Sequence, residues 1–235
     1  GNRAPGAAAF VCFKPAEEGG EFLLLDGRKM VSELDSEFLE RLYQREIRYS
    51  TAEFPMGFLD NPAVAWAQDL LMPVVEGAMR AAVKMKVDFE TELVWSTSDY
   101  DNARILQVRA EPQPPVVRHP ATGQPVWFFN VHSHSAYLRD ERQKVYGDEG
   151  LSTTTGASQI NRTDCYYADT GEQLSHDDLR KIDEVTMRDL VKVRMQEGDV
   201  VLLDNYAVMH GRAPFRGTRK HAVTWFKPPN YSEIM

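Results

Sequence analysis

Six histidines, His119, His132, His134, His176, His210 and His221, are the first residues in this sequence that could do chemistry, because neutral imidazole is the commonest protein ligand for iron, zinc and copper. His210 stands at the end of the short apolar run Ala207-Val208-Met209, after Asp204-Asn205 and just before Gly211-Arg212. A histidine at a strand end beside glycine can reach into a barrel mouth, or it can be an ordinary polar residue. His176 and Asp178 have the His-x-Asp spacing by which a facial triad takes two ligands from one strand end. The same residues also fit a helix start: Ser175 as N-cap, with Asp178 three residues on, resembles a capping box and puts acids in the first turn. His132 and His134 flank one serine, so on a strand their rings would share a face and could chelate a metal or line a pocket. Arg212 and Arg219 bracket a Pro-Phe-Arg-Gly loop. An arginine held at a strand can clamp a carboxylate with two parallel charge-assisted hydrogen bonds, whereas one on a loop can be a solvated charge.

The elements that must position these groups follow from apolar patterning. Residues 8–13 and 22–25 are short apolar runs joined by Glu17-Glu18-Gly19-Gly20 turn chemistry, which predicts two strands with a tight connection. Asp35-Ser36-Glu37 predicts an N-cap, followed by a helix to about Arg45 on the spacing of Phe38, Leu39, Leu42 and Tyr43. Residues 63–85 are helical in pattern, with Pro73 expected to divide them. Residues 87–95 and 103–110 read as strands. The proline-rich stretch 111–126 contains a His-Pro-Ala-Thr-Gly turn between β-branched runs and predicts a hairpin inside one domain rather than a linker. Residues 126–131, VWFFNV, read as an aromatic strand, and the polar stretch 138–164 as a long surface loop over one mouth of the fold, a lid. Residues 177–188 predict a helix, and 191–195 alternate as a strand. The segment from Glu197 to Phe226 reads as turn, buried strand, polar corner, short strand, loop and strand. Strands outnumber helices in the second half, as in a barrel or jelly roll.

Composition excludes several classes. The 235 residues are 43% hydrophobic, enough for one globular domain that buries roughly 70–75% of its unfolded surface. With 27 basic against 35 acidic residues and a net charge of -8, nucleic acid and anionic membrane are poor partners. No apolar stretch approaches the about 18 residues of a membrane span. Two cysteines, Cys12 and Cys165, make no disulfide framework, so a reducing compartment, the cytoplasm, is expected. Self-association is left open.

In its ordered blocks the sequence resembles the taurine dioxygenase family (TfdA-like) of Fe(II)- and 2-oxoglutarate-dependent oxygenases. The blocks are FVCFKPAEEGGEFLLLDGRKM, VVRHPATGQPVWFFN, VYGDEG and GDVVLLDNYAVMHGRAPFRGTRKHAV. The resemblance implies a mainly β fold with flanking helices, a double-stranded β-helix (jelly roll, cupin-like) closing around iron at one mouth. It implies Fe(II), 2-oxoglutarate and O2 as cofactors and cosubstrates, and release of succinate and CO2. A small polar metabolite would be hydroxylated, desaturated or cyclised. His210 matches the distal iron-binding histidine, and Arg219 matches the arginine that clamps the remote carboxylate of 2-oxoglutarate. Asn130, His132 and His134 are the expected substrate contacts.

Three departures accompany the likeness. The family's His-x-Asp/Glu pair would fall just ahead of Gly1, so residues 1–235 are expected to be a single domain short of its N-terminal edge. Phe22 stands where the family has a threonine that helps hold the keto acid, with Arg212 as the candidate replacement donor. Val223 stands where the taurine enzyme has a sulfonate-gripping arginine, which argues against taurine. Two rivals follow: a non-catalytic jelly-roll binding module that has lost its iron site, and a three-histidine iron oxygenase built from His132, His134 and His210 that needs no 2-oxoglutarate.

Overall fold

A computed structural model describes residues 4–85, 90–97, 102–150 and 163–226. In chain order the strands are β1 (Ala7–Lys14), β2 (Glu18–Gly19), β3 (Phe22–Asp26), β4 (Ile47–Pro55), β5 (Thr91–Thr97), β6 (Arg104–Ala110), β7 (Val116–Arg118), β8 (Pro125–Trp127), β9 (Cys165–Tyr167), β10 (Val191–Val193), β11 (Val200–Asp204), β12 (Val208–Arg212), β13 (Phe215–Arg216) and β14 (Lys220–Phe226). The helices are α1 (Gly27–Glu33), α2 (Ser36–Arg45), α3 (Pro62–Ala65), α4 (Gln68–Lys84), α5 (Val131–His134), α6 (Ala136–Gly150) and α7 (His176–Asp189). The chain is thus mainly β with several helices.

Two small antiparallel sheets carry the residues of interest. One has the order β11-β1-β14 and the other β10-β3-β12. Paired residues on antiparallel strands share a face, so the register Ala8↔Trp225, Phe10↔Val223 and Cys12↔His221 puts those six side chains on one side of the first sheet. In the second sheet Phe22↔Arg212 and Leu24↔His210 are likewise on one side. These two faces meet. Phe10 and Phe22 have ring centroids 4.7 Å apart, and Ala8, Cys12, Phe22, Met195 and Leu203 form one buried cluster between the sheets. Burying a large side chain of this kind contributes roughly 1.5–3 kcal/mol, which is what holds the sheets together.

The opposite face of β3 packs on the main core, where Leu25, Met30, Phe38, Leu42, Trp127, Leu179 and Ile182 are buried among α1, α2 and α7. At the crossing of strand and helix Gly27 donates its N–H to the Ala207 carbonyl at 2.8 Å. A Cβ at Gly27 would lie 2.8 Å from the Trp127 carbonyl oxygen, so only glycine permits this approach. The sheet β5-β6-β4-β9 forms a further layer, and β7 pairs with β8 in the expected hairpin.

The two expected strands are β1 and β3, and they enter opposite sheets. Three expectations are corrected. Pro73 lies inside a continuous α4, and the break falls between α3 and α4 instead. The aromatic strand stops at Trp127, and α5 begins at Val131, because Asn130 caps the turn by accepting from the Ser133 N–H. Residues 138–150 belong to α6 rather than to a loop. The remainder of the expected lid, 151–162, is outside the described residues.

Candidate functional site: an aromatic chamber with a free guanidinium pair

β12 and β14 converge on a chamber between the two sheets. The His210 ring lies 4.8 Å from Phe10, 6.3 Å from Phe22 and 5.9 Å from Trp225, centroid to centroid. Burial among these rings lowers the His210 pKa from its ordinary value, so at neutral pH the imidazole is neutral. That is the form in which histidine binds metal.

Arg219 enters from the start of β14. Its Nη2 approaches His221 Nδ1 at 2.9 Å, and its Nε is buried without a hydrogen-bond partner. The stem passes over a glycine corner: Gly20 has φ +72°, and a Cβ there would sit 3.5 Å from Arg219 Cδ and 2.9 Å from the Ala16 Cβ. The Gly19-Gly20 pair therefore both makes the turn and leaves room for the guanidinium. Arg212 reaches the same face from β12, with its guanidinium 4.5 Å from the Phe215 ring. Partial burial lowers the pKa of both arginines, and for Arg219 the positive charge of Arg212 adds to the effect. Neither forms an ion pair among the described residues. Two neighbouring cations, Arg219 half-buried and Arg212 exposed, with no counter-charge among the described residues attract an anion. A dicarboxylate is such an anion.

Iron is fitted only in part. Among the described residues no group of three or more His, Cys, Asp or Glu side chains could hold a metal. His210 therefore has no partner ligands among the described residues, and the three-histidine site is corrected. His132 turns to Asp183 on α7, Nε2 to Oδ1 at 3.0 Å. His134 stacks on Tyr49 at 3.9 Å, where burial and the charge of Arg139 push its pKa down to about 4. On a helical turn, residues two apart do not share a face, so the predicted chelating pair dissolves. His176 stacks on Tyr137, and Ser175 accepts from the Asp178 N–H, as the capping alternative requires. Asp178 is committed to Arg41 and Tyr167. Cys12 and Cys165 are both buried free thiols.

The sequence-predicted residues divide between two spaces. Asn130, His132, His210 and Arg212 line a cavity of about 390 Å³ beside β12, and His210 and Arg212 are shared between it and the inner chamber. Arg219 and the aromatic rings lie in the inner chamber, and His134 is in neither. Sequence reasoning missed the brace behind β12. His119 is buried at the β7–β8 turn, with Nε2 2.8 Å from Asp204 Oδ2, while its Nδ1 accepts from the Ala121 and Thr122 N–H groups. The other Asp204 oxygen accepts from the Tyr206 and Ala207 N–H groups. The hairpin thereby fixes the corner from which β12 and His210 emerge. Its signal was present as the imidazole of His-Pro-Ala-Thr-Gly and the acid of Asp204-Asn205, 85 residues apart.

The chain is similar to several known proteins. The dapdiamide synthesis protein DdaC of Enterobacter agglomerans is 26% identical over 225 residues, covering 95% of this chain and 62% of its own. A clavaminate synthase-like protein of Arabidopsis thaliana is 26% identical over 184 residues, covering 78% and 48%. A solved asparagine oxygenase, in complex with Fe(II), 2S,3S-3-hydroxyasparagine and succinate, overlaps 97% of this chain and 47% of its own at a TM-score of 0.48 and 12% identity. The chain thus spans less than two thirds of the length of these relatives. The family described as taurine catabolism dioxygenase TauD, TfdA matches residues 1–225, nearly the whole chain, and it is to this family that the chain belongs.

Proposed function

We propose that this chain forms the cosubstrate clamp and one metal position of an Fe(II)- and 2-oxoglutarate-dependent oxygenase acting on a small molecule. The observation that carries the reading is the chamber itself, in which His210, packed against Phe10 and Phe22, and Arg219, without an ion pair among the described residues, lie on facing sheets. On this reading the facing sheets β11-β1-β14 and β10-β3-β12 are the two halves of a jelly roll.

Each residue has a role that follows from its chemistry. Arg219 binds the remote carboxylate of 2-oxoglutarate through its planar fork. Arg212 adds the second positive charge and substitutes for the hydroxyl that Phe22 lacks. Buried Phe22 and half-buried Phe10 form an apolar wall beside the pair, with the exposed Trp225 ring at its edge. His210 offers its imidazole to iron, and the family pattern takes the two further ligands from a His-x-Asp/Glu pair. Iron held there would supply the activation of O2, with 2-oxoglutarate oxidised to succinate and CO2 and the substrate hydroxylated, desaturated or cyclised. Val223, at the position of a sulfonate-gripping arginine, makes taurine the wrong substrate. The two buried free thiols suit the cytoplasm, and no helix among the described residues is long and apolar enough to cross a membrane.

The test is succinate formation by the native protein with Fe(II), 2-oxoglutarate and O2. His210→Ala abolishes it on this reading, while retention of activity overturns the assignment. One observation favours a second reading: among the described residues no group of three or more His, Cys, Asp or Glu side chains could hold a metal. A non-catalytic binding module would bind 2-oxoglutarate through Arg219 and form no succinate even as wild type.

A further inference from the structure

Helix α4 is apolar on two faces, and the fold uses one of them. Leu71, Met72, Val75 and Met79 pack against the buried cluster of Met56, Leu59 and Leu106. The other face carries Leu70, Val74, Gly77 and Ala81 at helical spacing, with Trp66 just ahead of the helix and Met85 at its C-cap, all of them exposed. Trp66 is 85% exposed, Met85 83%, Leu70 71% and Val74 62%. Scattered exposed apolar residues are ordinary, whereas a continuous stripe about 29 Å long marks an interaction surface.

Gly77 supplies a second, independent argument. In mid-helix a glycine costs about 1 kcal/mol relative to alanine. Among the described residues a Cβ at Gly77 would meet no atom within 4 Å, so packing inside the chain gives no reason for its absence. A second helix lying against this face does, because small residues let two helix axes approach to about 8 Å.

The stripe complements itself in one direction. A two-fold axis crossing α4 midway between Val74 and Gly77 makes the second helix antiparallel and sets large residues against small ones. Val74 then faces the partner's Gly77 and Leu70 the partner's Ala81, and at the ends Trp66 meets the partner's Met85. Charge follows the same symmetry. Asp69 and Arg80, about three turns apart, lie on one flank of the stripe, so after the rotation Asp69 falls between the partner's Arg80 and the partner's Lys84, about 3 Å from each along the axis. Asp69 and Lys84 have no ion-pair partner among the described residues, and Arg80 pairs with Glu76 of its own helix at 2.7 Å. A parallel pairing sets Leu70 against Leu70 and Gly77 against Gly77, and loses both complements.

We propose that α4 is the interface of a symmetric dimer, packed antiparallel on the α4 of a second copy of this chain through Trp66, Leu70, Val74 and Gly77. Such an interface is isologous, each copy offering the same patch. One helix pair buries less than about 1,200 Å² in total, the size of a weak or transient contact, so the dissociation constant falls in the micromolar range.

Sedimentation velocity of the native protein over a micromolar concentration series is expected to show a rise from one to two protomer masses. Leu70→Gln and Gly77→Leu, both placed in space that is open in the single chain, each weaken the dimer at least tenfold and leave the far-UV circular dichroism unchanged. Charge reversal tests the direction. Asp69→Lys and the double variant Arg80→Glu/Lys84→Glu are each more weakly dimeric than wild type, and an equimolar mixture of the two associates more tightly than either alone. A native protein that stays monomeric across the series overturns the proposal, and that is also the outcome if another part of the protein covers the stripe. A dimer unchanged by Leu70→Gln and Gly77→Leu overturns it as well, as does a mixture no more associated than its components.

Discussion

Replacing Arg219 by glutamine separates cosubstrate binding from stability, because among the described residues the guanidinium has no carboxylate to lose. Its Nε is buried without a hydrogen bond, and its Nη2 approaches the neutral His221 ring. Removing a half-buried cation that lacks a counter-ion relieves a desolvation cost while giving up that contact, so the folding midpoint should stay within about 1 kcal/mol or rise. Affinity for 2-oxoglutarate behaves differently. Truncating one side of a buried, hydrogen-bonded charge pair costs roughly 2–5 kcal/mol, and each 1.4 kcal/mol is about tenfold. The dissociation constant should therefore rise by about 30-fold to several thousand-fold. The control is 2-oxopentanoate, which keeps the keto-acid head and chain length but has no remote carboxylate. Anaerobic calorimetry with Fe(II) should give this analogue the same affinity for wild type and Arg219→Gln. A variant that loses both ligands equally, or neither, refutes the role assigned to Arg219. So does one that unfolds.

Other predictions follow from the same structure. His119→Ala removes a buried hydrogen bond to Asp204 and leaves the Ala121 and Thr122 N–H groups without their acceptor; chemical denaturation should register a loss of about 2–4 kcal/mol. Combined with Asp204→Asn, the two losses should be less than additive. His134 titrates near 4 in the folded chain against an ordinary 6.5. The unfolded chain binds that proton first, so the contribution of neutral His134 is intact above pH 6.5 and is lost as pH falls toward 4. It amounts to about 3 kcal/mol. Denaturation at pH 7 and pH 4.5 should show a smaller acid loss in His134→Phe than in wild type, and equal losses would count against the burial of this ring.

Local signals in the sequence located much of the scaffold. Asp35 caps α2 as its place before Ser36-Glu37 requires, accepting from the Phe38 N–H. The His-Pro-Ala-Thr-Gly turn closes the β7–β8 hairpin, and β11, β12 and β14 lie where the apolar runs of residues 200–226 put them. What escaped is long-range. The partner that turns His132 away from His134 is Asp183, on a helix 51 residues later, and no spacing rule anticipates it. The aromatic run before Asn130 has strand periodicity, yet the asparagine itself is an N-cap, a competing signal two residues from the histidines it redirects. Residues 138–150 show no apolar stripe, so their helix was invisible to periodicity. β1 and β3 are neighbours in sequence, but the Gly19-Gly20 corner carries the chain across to the other sheet, and only the register shows which strands they join. The chamber was read from its histidine and arginine. Its aromatic wall, drawn from β1, β3 and β14, had no signature in any one segment.

Anaerobic addition of Fe(II) and then 2-oxoglutarate to the native protein, followed by visible absorption, tests the central claim most directly. The account predicts a charge-transfer band that requires both additions, is lost in His210→Ala and is recovered in Arg219→Gln only at much higher 2-oxoglutarate. Absence of the band from wild type, or its persistence in His210→Ala, would contradict it.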